Sequence, residues 1–343
     1  MSAPKPLKEG TVKEKIPATD RTRSRRIEGL LSLMSIPLRR LRRAGEVGEY
    51  RKLKGDSDTL VSMPIPDFAA RRSAFRKLHQ EGCFVIPNPW DFGSARYLRH
   101  LGFPALATTS AGFAFSCGLP DGAVPRDRML AHIAEIVSAV DLPVNADFES
   151  GYAHQPGAVA ANVRLCVDTG VAGLSIEDST GDSEHPLYEL PLAIDRIRAA
   201  RAAIDDSAAE VLLTARAECF LVRHPEPLKE SIRRLQAFAE AGADVLYAPG
   251  LHRAEDIMTM VSEVRPKPVN VLVSWNIGLT VADLAEMGVR RISVGSGLAR
   301  VAWSGFMRTA QALTGGSFTS FEGVEAFAEI NGFLREDSKE RSS

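Results

Sequence analysis

Between residues 83 and 296 the chain alternates short apolar runs with helical patterns, and this alternation constrains the fold more than any other feature. The runs are CFVIPNP (83–89), ALATTS (105–110), LPVNADFE (142–149), GLSIED (173–178), VLLTARAE (211–218), VLYAPG (245–250), PVNVLV (268–273) and RISVGS (291–296). They are apolar nearly throughout, as expected of strands buried on both faces. The stretch between each pair is long enough for one helix, as in βα units. Several runs follow a helix ending in glycine, in HLGFPA, DTGVAG, EAGADV and EMGVRR. Glycine there supplies the left-handed residue that stops a helix before a strand. One such helix is predicted over Pro227 to Ala241, with Ile232, Leu235, Phe238 and Ala239 on one face. Eight strands are the count of a (β/α)8 barrel, and the predicted fold class is α/β with that architecture. The rival, a doubly wound open sheet, is disfavoured because no GxGxxG follows the first strand.

The flanks read differently. Residues 1–62 hold 15 Lys/Arg against 8 Asp/Glu, although the whole chain of 343 residues has a formal net charge of -1. Arginine is concentrated in RTRSRRIEGLLSLMSIPLRRLRR (21–43), where Pro37 interrupts any continuous helix. The segment reads as a basic, disordered N-terminal extension. The functional alternative is a membrane-surface or targeting segment. The barrel domain is expected over residues 63–300. Residues 301–343 form a C-terminal helical segment rich in large apolar groups, among them Trp303, Phe306, Met307, Leu313, Phe318, Phe321, Phe327 and Phe333. That is more than a solvent-facing tail should carry, so exchange between subunits of a dimer or tetramer is expected.

The near-neutral charge gives no sign of nucleic-acid binding. No stretch reaches the roughly 18 apolar residues of a membrane span. The four cysteines, Cys83, Cys117, Cys166 and Cys219, form no CxxC pair and match no zinc spacing. So few in a long chain fits a reducing cytoplasm, the expected location.

In such a barrel the chemistry sits at the C-terminal ends of the strands. Those ends here carry Asn88, Ser110, Asp147 with Glu149, Glu177 with Asp178, Arg216 with Glu218, Tyr247, Asn270 and Ser296. Asp121, Asp147, Glu149 and Glu177 lie on adjacent strands or loops. Clustered carboxylates repel unless a cation joins them, and Mg²⁺ (or Mn²⁺) suits carboxylate and water ligands. Capping or salt-bridged carboxylates would give the same spacing. Arg216 ends an apolar run, where its fork either binds a substrate carboxylate or pairs with Glu177 or Glu218.

At these residues the sequence resembles the isocitrate lyase/phosphoenolpyruvate mutase superfamily. The likeness runs from about Phe84 to Arg300 and is carried by NPWDFGSAR (88–96), TTSAGFAFSCGLPDG (108–122), NADFESGY (145–152), GLSIEDS (173–179), LLTARAECFL (212–221) and LYAPG (246–250). It is similar above all to the subgroup of oxaloacetate decarboxylases and other 2-oxo acid lyases. The resemblance implies that Asp147 is the direct Mg²⁺ ligand. Glu149, where many members have Asp, joins Asp121 and Glu177 in holding the metal's waters. It further implies that Ser110, with the backbone at Ala111 and Gly112, holds the substrate carboxylate, and that Trp90 and Asp91 form a corner of the pocket. Arg216 is implied to neutralise developing enolate or carboxylate charge, and Tyr247 and Asn270 to set substrate preference. Members of the superfamily usually form tetramers by exchanging the last barrel helix.

One departure matters. The loop after the fourth strand reads STGDSEHPLYELP, without the KKCG motif of isocitrate and methylisocitrate lyases. The loop lysine or asparagine of phosphonate-cleaving members is missing too. His185 is the loop's candidate acid, with a solvated histidine as the alternative. The expected function is a Mg²⁺-dependent lyase that cleaves a C–C bond of a small 2-oxo or 2-hydroxy carboxylate through a metal-stabilised enolate. The alternatives are a phosphonate C–P lyase or mutase, and an inactive carboxylate-binding barrel. No strand end carries a lysine, so a Schiff base is not expected. Arg216 is the only strand-end cation seen to offset the carboxylates.

Overall fold

The computed structural model describes residues 67–341. The predicted extension over residues 1–62 lies outside the described residues. The chain runs α1 (Phe68–Leu78), β1 (Phe84–Ile86), α2 (Phe92–His100), β2 (Leu106–Ala107), α3 (Ser110–Ser116), α4 (Arg126–Ala139), β3 (Val144–Asp147), α5 (Pro156–Asp168), β4 (Gly173–Glu177) and α6 (Leu190–Asp206). It continues as β5 (Leu212–Arg216), α7 (Pro227–Glu240), β6 (Val245–Tyr247), α8 (Ala254–Glu263), β7 (Val269–Leu272), α9 (Val281–Glu286), β8 (Arg291–Ser293), α10 (Gly297–Thr314) and α11 (Phe327–Glu340). All eight predicted strands form, each shorter than its apolar run. Pro87 and Pro89 end β1 early because neither has an N–H for a ladder.

The strands are parallel, in the order β1-β8-β7-β6-β5-β4-β3-β2. The remaining seam carries a backbone hydrogen bond from Ala107 N to Pro87 O at 3.0 Å. The architecture is the expected (β/α)8 barrel. Gly170 and Gly242 end their helices at φ 90° and 105°, the left-handed stops predicted for DTGVAG and EAGADV.

The alternation of side chains along each strand divides the barrel into two chemistries. Leu106, Val144, Ala146, Leu174, Ile176, Leu213, Ala215, Leu246, Val269, Val271 and Ile292 face outward and pack with the helices in one apolar layer. The inward set begins apolar near the N-terminal ends, where Phe84, Ala105 and Leu212 pack with Phe75 of α1. Gly173 is required there, since a Cβ would meet Phe75 Cε1 at 2.7 Å. Higher up, the inward positions are Asn145 and Asp147, Ser175 and Glu177, Thr214 and Arg216, then Tyr247, Asn270, Arg291 and Ser293. The expectation of strands apolar on both faces thus holds for the outer face and for the lower part of the inner face. The inner face turns polar because it borders a cavity rather than a packed core.

Buried ion pairs fix helices to this frame. Arg234 of α7 donates to Asp178 Oδ2 at 3.0 Å, and Asp178 Oδ1 accepts the Glu218 N–H at 2.8 Å. Burial raises the Asp178 carboxyl to about 6 against the pull of Arg234. Asp178 is therefore a structural tie between two strand ends and a helix.

The C-terminal segment divides in two. α11 folds back on α2: Arg96 donates to Asp337 Oδ1 at 2.7 Å and to Ala139 O at 2.6 Å, and Tyr97 meets Phe333 edge-on at 5.2 Å. In α10 only Ala299 is buried. Val301, Phe318 and Phe327 are exposed by 72%, 73% and 82%, so this segment presents an apolar surface. Among the described residues no helix is long and apolar enough to cross a membrane.

Asp337→Ala leaves the buried Arg96 charge without its partner, a loss of about 3–5 kcal/mol for such pairs. A clear drop in melting temperature with faster amide exchange in α11 is expected. Glu340→Ala, removing an exposed partner of Arg99, should change the melting temperature little. Equal effects from both would show that Arg96–Asp337 does not anchor the helix.

Candidate active site

A cavity of about 170 Å³ opens at the C-terminal ends of the strands. Asp147, the last residue of β3, stands on its wall because two neighbours hold it. Its backbone N–H donates to Thr108 Oγ1 at 2.9 Å. Its carboxylate Oδ2 accepts from Ser110 N at 3.0 Å and Ser110 Oγ at 2.8 Å. Thr109 caps α3 and accepts the Gly112 N–H at 3.1 Å. A Cβ on Gly112 would lie 2.6 Å from Thr109 Cγ2 and 3.2 Å from Trp90 Cβ, so only glycine lets α3 approach so closely.

Beside Asp147, two strands along, stands Arg216, the last residue of β5. Its Nη1 lies 3.4 Å from Asp147 Oδ1 and 3.2 Å from Glu177 Oε2, and its Nε bonds Glu218. The guanidinium also stacks 5.4 Å from the Tyr247 ring centroid. Burial opposes its charge, but Glu218 and Glu177 outweigh that and hold the guanidinium firmly protonated. The ion pairs left open from sequence therefore both form. Nη2 donates no hydrogen bond to the described residues and remains available to a ligand.

The carboxylates crowd one another. Burial raises Glu149 to about 7, opposed by the Tyr152 hydroxyl, which donates to Glu149 Oε1 at 2.8 Å. Glu149 sits at φ 48°, a left-handed position that turns the chain straight after β3. Partial burial and the charge of Asp147 raise Asp121, and burial raises Glu177 well above the usual carboxylate range.

Among the predicted site residues, Ser110, Ala111, Asp121, Asp147, Arg216, Tyr247 and Asn270 line the cavity. Glu177 and Glu149 stand behind that lining, Glu177 in contact with Arg216. Gly112 lies within α3, and Trp90 packs closely against it. Asp91 is exposed and caps α2, accepting the Ser94 N–H at 2.7 Å. His185 lies exposed on the β4–α6 loop, away from the cavity lining.

Two residues here went unassigned from sequence. Asn88 donates to Thr108 O at 2.9 Å and accepts from Val294 N at 2.9 Å and Gly295 N at 2.8 Å, stitching three strand ends together. Arg291 is a second cation on the cavity wall. Arg216 remains the one cation that ends a strand among the described residues, as expected, and Arg291 stands at the start of β8. Arg291 escaped notice because it begins β8 rather than ending it. The signal was its two-residue spacing from Ser293, which repeats Asn145/Asp147, Ser175/Glu177 and Thr214/Arg216.

Among the described residues no three His, Cys, Asp or Glu side chains converge as a closed metal site. The donor set nonetheless fits a hard divalent ion: it is all carboxylate oxygen, and burial raises the proton affinities of Asp121, Glu149 and Glu177. Asp147, which lines the cavity, could contact such an ion directly, and Asp121, Glu149 and Glu177 could hold its waters. Glu149 holds its proton more tightly folded than at its ordinary value of 4.5. It therefore favours folding below that pH, and the contribution is lost as pH rises through about 7. A divalent cation relieves the repulsion that then appears. Mg²⁺ should raise the melting temperature more at about pH 8 than at about pH 5.5; an equal rise at both would dissociate the carboxylates from the metal.

Comparison with known proteins agrees with this geometry. The family model for phosphoenolpyruvate phosphomutase matches residues 75–314. The crystal structure of a candidate lyase/mutase from Burkholderia cenocepacia J2315 is 45% identical, with a TM-score of 0.75 over 78% of this chain and 97% of that one. Oxaloacetate decarboxylase from Pseudomonas savastanoi pv. phaseolicola is 30% identical over 237 residues, 66% of this chain and 79% of that protein. The 2-methylisocitrate lyase of Escherichia coli K12 is 32% identical over 183 residues, which span 51% of this chain and 60% of that enzyme. With the family model matched over almost the whole barrel, the chain belongs to the phosphoenolpyruvate phosphomutase family, within the isocitrate lyase/phosphoenolpyruvate mutase superfamily.

Proposed function

We propose that the protein is a Mg²⁺-dependent lyase that breaks a C–C bond in a small 2-oxo carboxylate, with decarboxylation the favoured chemistry. The observation that carries this reading is the pairing of Asp147 with Arg216 on the wall of one cavity, beside Tyr247. Asp147 would hold the ion, and Asp121, Glu149 and Glu177 its waters; Mn²⁺ suits the same donors. When bound, the ion supplies Lewis-acid stabilisation to negative charge growing on a keto oxygen.

The chain's own groups do the rest. Arg216 Nη2 donates to the substrate carboxylate or to the developing enolate oxygen. At the start of α3, Ser110 N and Oγ are engaged by Asp147 and Gly112 N by Thr109, which leaves the Ala111 N–H for a carboxylate oxygen. Burial raises the Tyr247 phenol to about 12, so it stays protonated and serves as a donor rather than a base. Asn270 is oriented from both sides: its Oδ1 accepts from Arg291 at 2.8 Å and its Nδ2 donates to Ser293 at 2.9 Å. Loss of CO₂ from a 3-carboxylated 2-oxo acid needs no base, whereas retro-aldol cleavage of a 2-hydroxy acid does. The segment after β4, STGDSEHPLYELP, supplies neither Lys nor Cys for that step and neither Lys nor Asn for C–P cleavage.

The test is turnover of a panel of 2-oxo and 2-hydroxy diacids, followed by NMR with Mg²⁺ and with EDTA. Asp147→Ala should abolish metal-dependent turnover with the fold intact. Arg216→Ala should lower kcat/KM by roughly 10²–10³-fold while Mg²⁺ affinity changes little, and Arg216→Lys should be impaired because it loses the fork. Near-normal kcat/KM in Arg216→Ala would reduce that residue to an ion-pair partner.

The exposed apolar surface of α10 and the following turn is proposed to be covered by a second copy of the chain, in a dimer or tetramer. Light scattering at micromolar concentration should give at least a dimer, and a monomer would refute the interface.

A further inference from the structure

Arg216, Tyr247, Asn270 and Arg291 are register partners on four consecutive strands, β5 to β8. Arg216 ends its strand and Arg291 begins its own, so the row descends from the mouth of the barrel toward its interior. The two arginines at its ends have opposite surroundings. Arg216 is paired with three carboxylates. Arg291 is 3% exposed and, among the described residues, has no carboxylate within ion-pair distance. Its Nε donates to Asn270 Oδ1 and its Nη2 to Thr214 Oγ1 at 3.1 Å, both neutral groups, and its Nη1 has no hydrogen-bond partner.

A buried cation without a counter-ion is costly, and an apolar side chain of similar volume would fill the barrel more stably. Leu212 and Ile86 show that inward positions of this barrel accept such side chains. The charge therefore calls for a ligand. The carboxylates at the mouth do not supply the missing negative charge, since the ion pairs they make with a cavity arginine all go to Arg216.

We propose that Arg291 is the inner anion-binding cation of the cavity, and that it selects substrates carrying two negative charges rather than one. This rests on the reading of the cavity as a carboxylate site. The mouth, through Arg216 and the ion at Asp147, takes one anionic group, and Arg291 attracts the second from below. The substrate class is then a small dicarboxylate.

Calorimetric titration of the full chain in Mg²⁺ tests this with oxalate, a dianion, and oxamate, a monoanion of nearly the same shape. Wild-type protein should bind oxalate more tightly. Arg291→Gln keeps a neutral donor toward Asn270 but loses the charge; it should bind oxalate roughly tenfold or more weakly and oxamate with a smaller loss. Arg291→Lys keeps the charge and should retain most of the oxalate affinity. The reverse order, with Gln retaining affinity and Lys losing it, would make Arg291 a mere prop for Asn270 and overturn the proposal. So would equal losses for both anions, or equal affinities in the wild type, which is measured whether or not the variants fold. A wild type that binds neither anion would overturn the lyase reading together with this one.

Discussion

Five carboxylates, from Asp121, Asp147, Glu149, Glu177 and Glu218, surround a single guanidinium at the mouth of the barrel, and this excess of like charge governs the architecture around it. Such groups are tolerated side by side only where each is held in place by something other than its neighbours. Asp147 is fixed by Thr108 and Ser110, Glu149 by Tyr152, and Glu218 by Arg216 with its backbone N–H on Asp178. The scaffold has to resist repulsion, so hydrogen bonds from neutral groups converge on the strand ends. The left-handed Glu149 belongs to the same pattern. The chain turns away immediately after Asp147, and the reversal is kept because the apolar Phe148 is buried beneath it.

The barrel and its mouth were legible in the sequence because both follow from local periodicity. Glycine stops before strands, apolar outward positions and polar strand ends each have a physical cause that acts within a few residues. What escaped was the inner face. A strand such as RISVGS reads as an apolar run with polar flanks, and only the two-residue alternation shows that Arg291 and Ser293 share one side. The roles of Asp91 and Asp178 were obscured for a different reason. A carboxylate at a strand end serves equally as a ligand, a helix cap or an ion-pair partner, and the partner decides. For Asp178 that partner is Arg234, and for Asp91 it is the turn of α2 that follows it.

Arginine shows the same dependence on surroundings. Arg196 is fully buried, with bonds to His154 O at 2.7 Å and a position 4.0 Å from the Tyr188 ring centroid. It gathers backbone carbonyls of the β3–α5 loop and so fixes the far side of the turn after Asp147. Arg234 ties α7 to the end of β4 and the loop after it through Asp178 and Tyr188 O, and also donates to Glu230 of its own helix. In both, the guanidinium serves as a multidentate donor, and its charge is balanced by acceptors that belong to the frame.

The cavity arginines depart from that pattern in opposite directions. Arg216 has more negative charge around it than it can neutralise, and Arg291 has none. A frame built for stability alone would place the carboxylates nearer to Arg291 or replace that residue by an apolar one. Instead the cavity wall keeps excess negative charge at the mouth and excess positive charge below. A field that changes sign between the mouth and the interior orients any ligand that carries charge at both ends, and it does so before direct contacts form. The mouth then suits a cation together with one anionic group, and the interior suits a second anion. That polarity is set by which inward positions on β3 to β8 hold acids and which hold bases, so the alternation that builds the barrel also builds the field inside it.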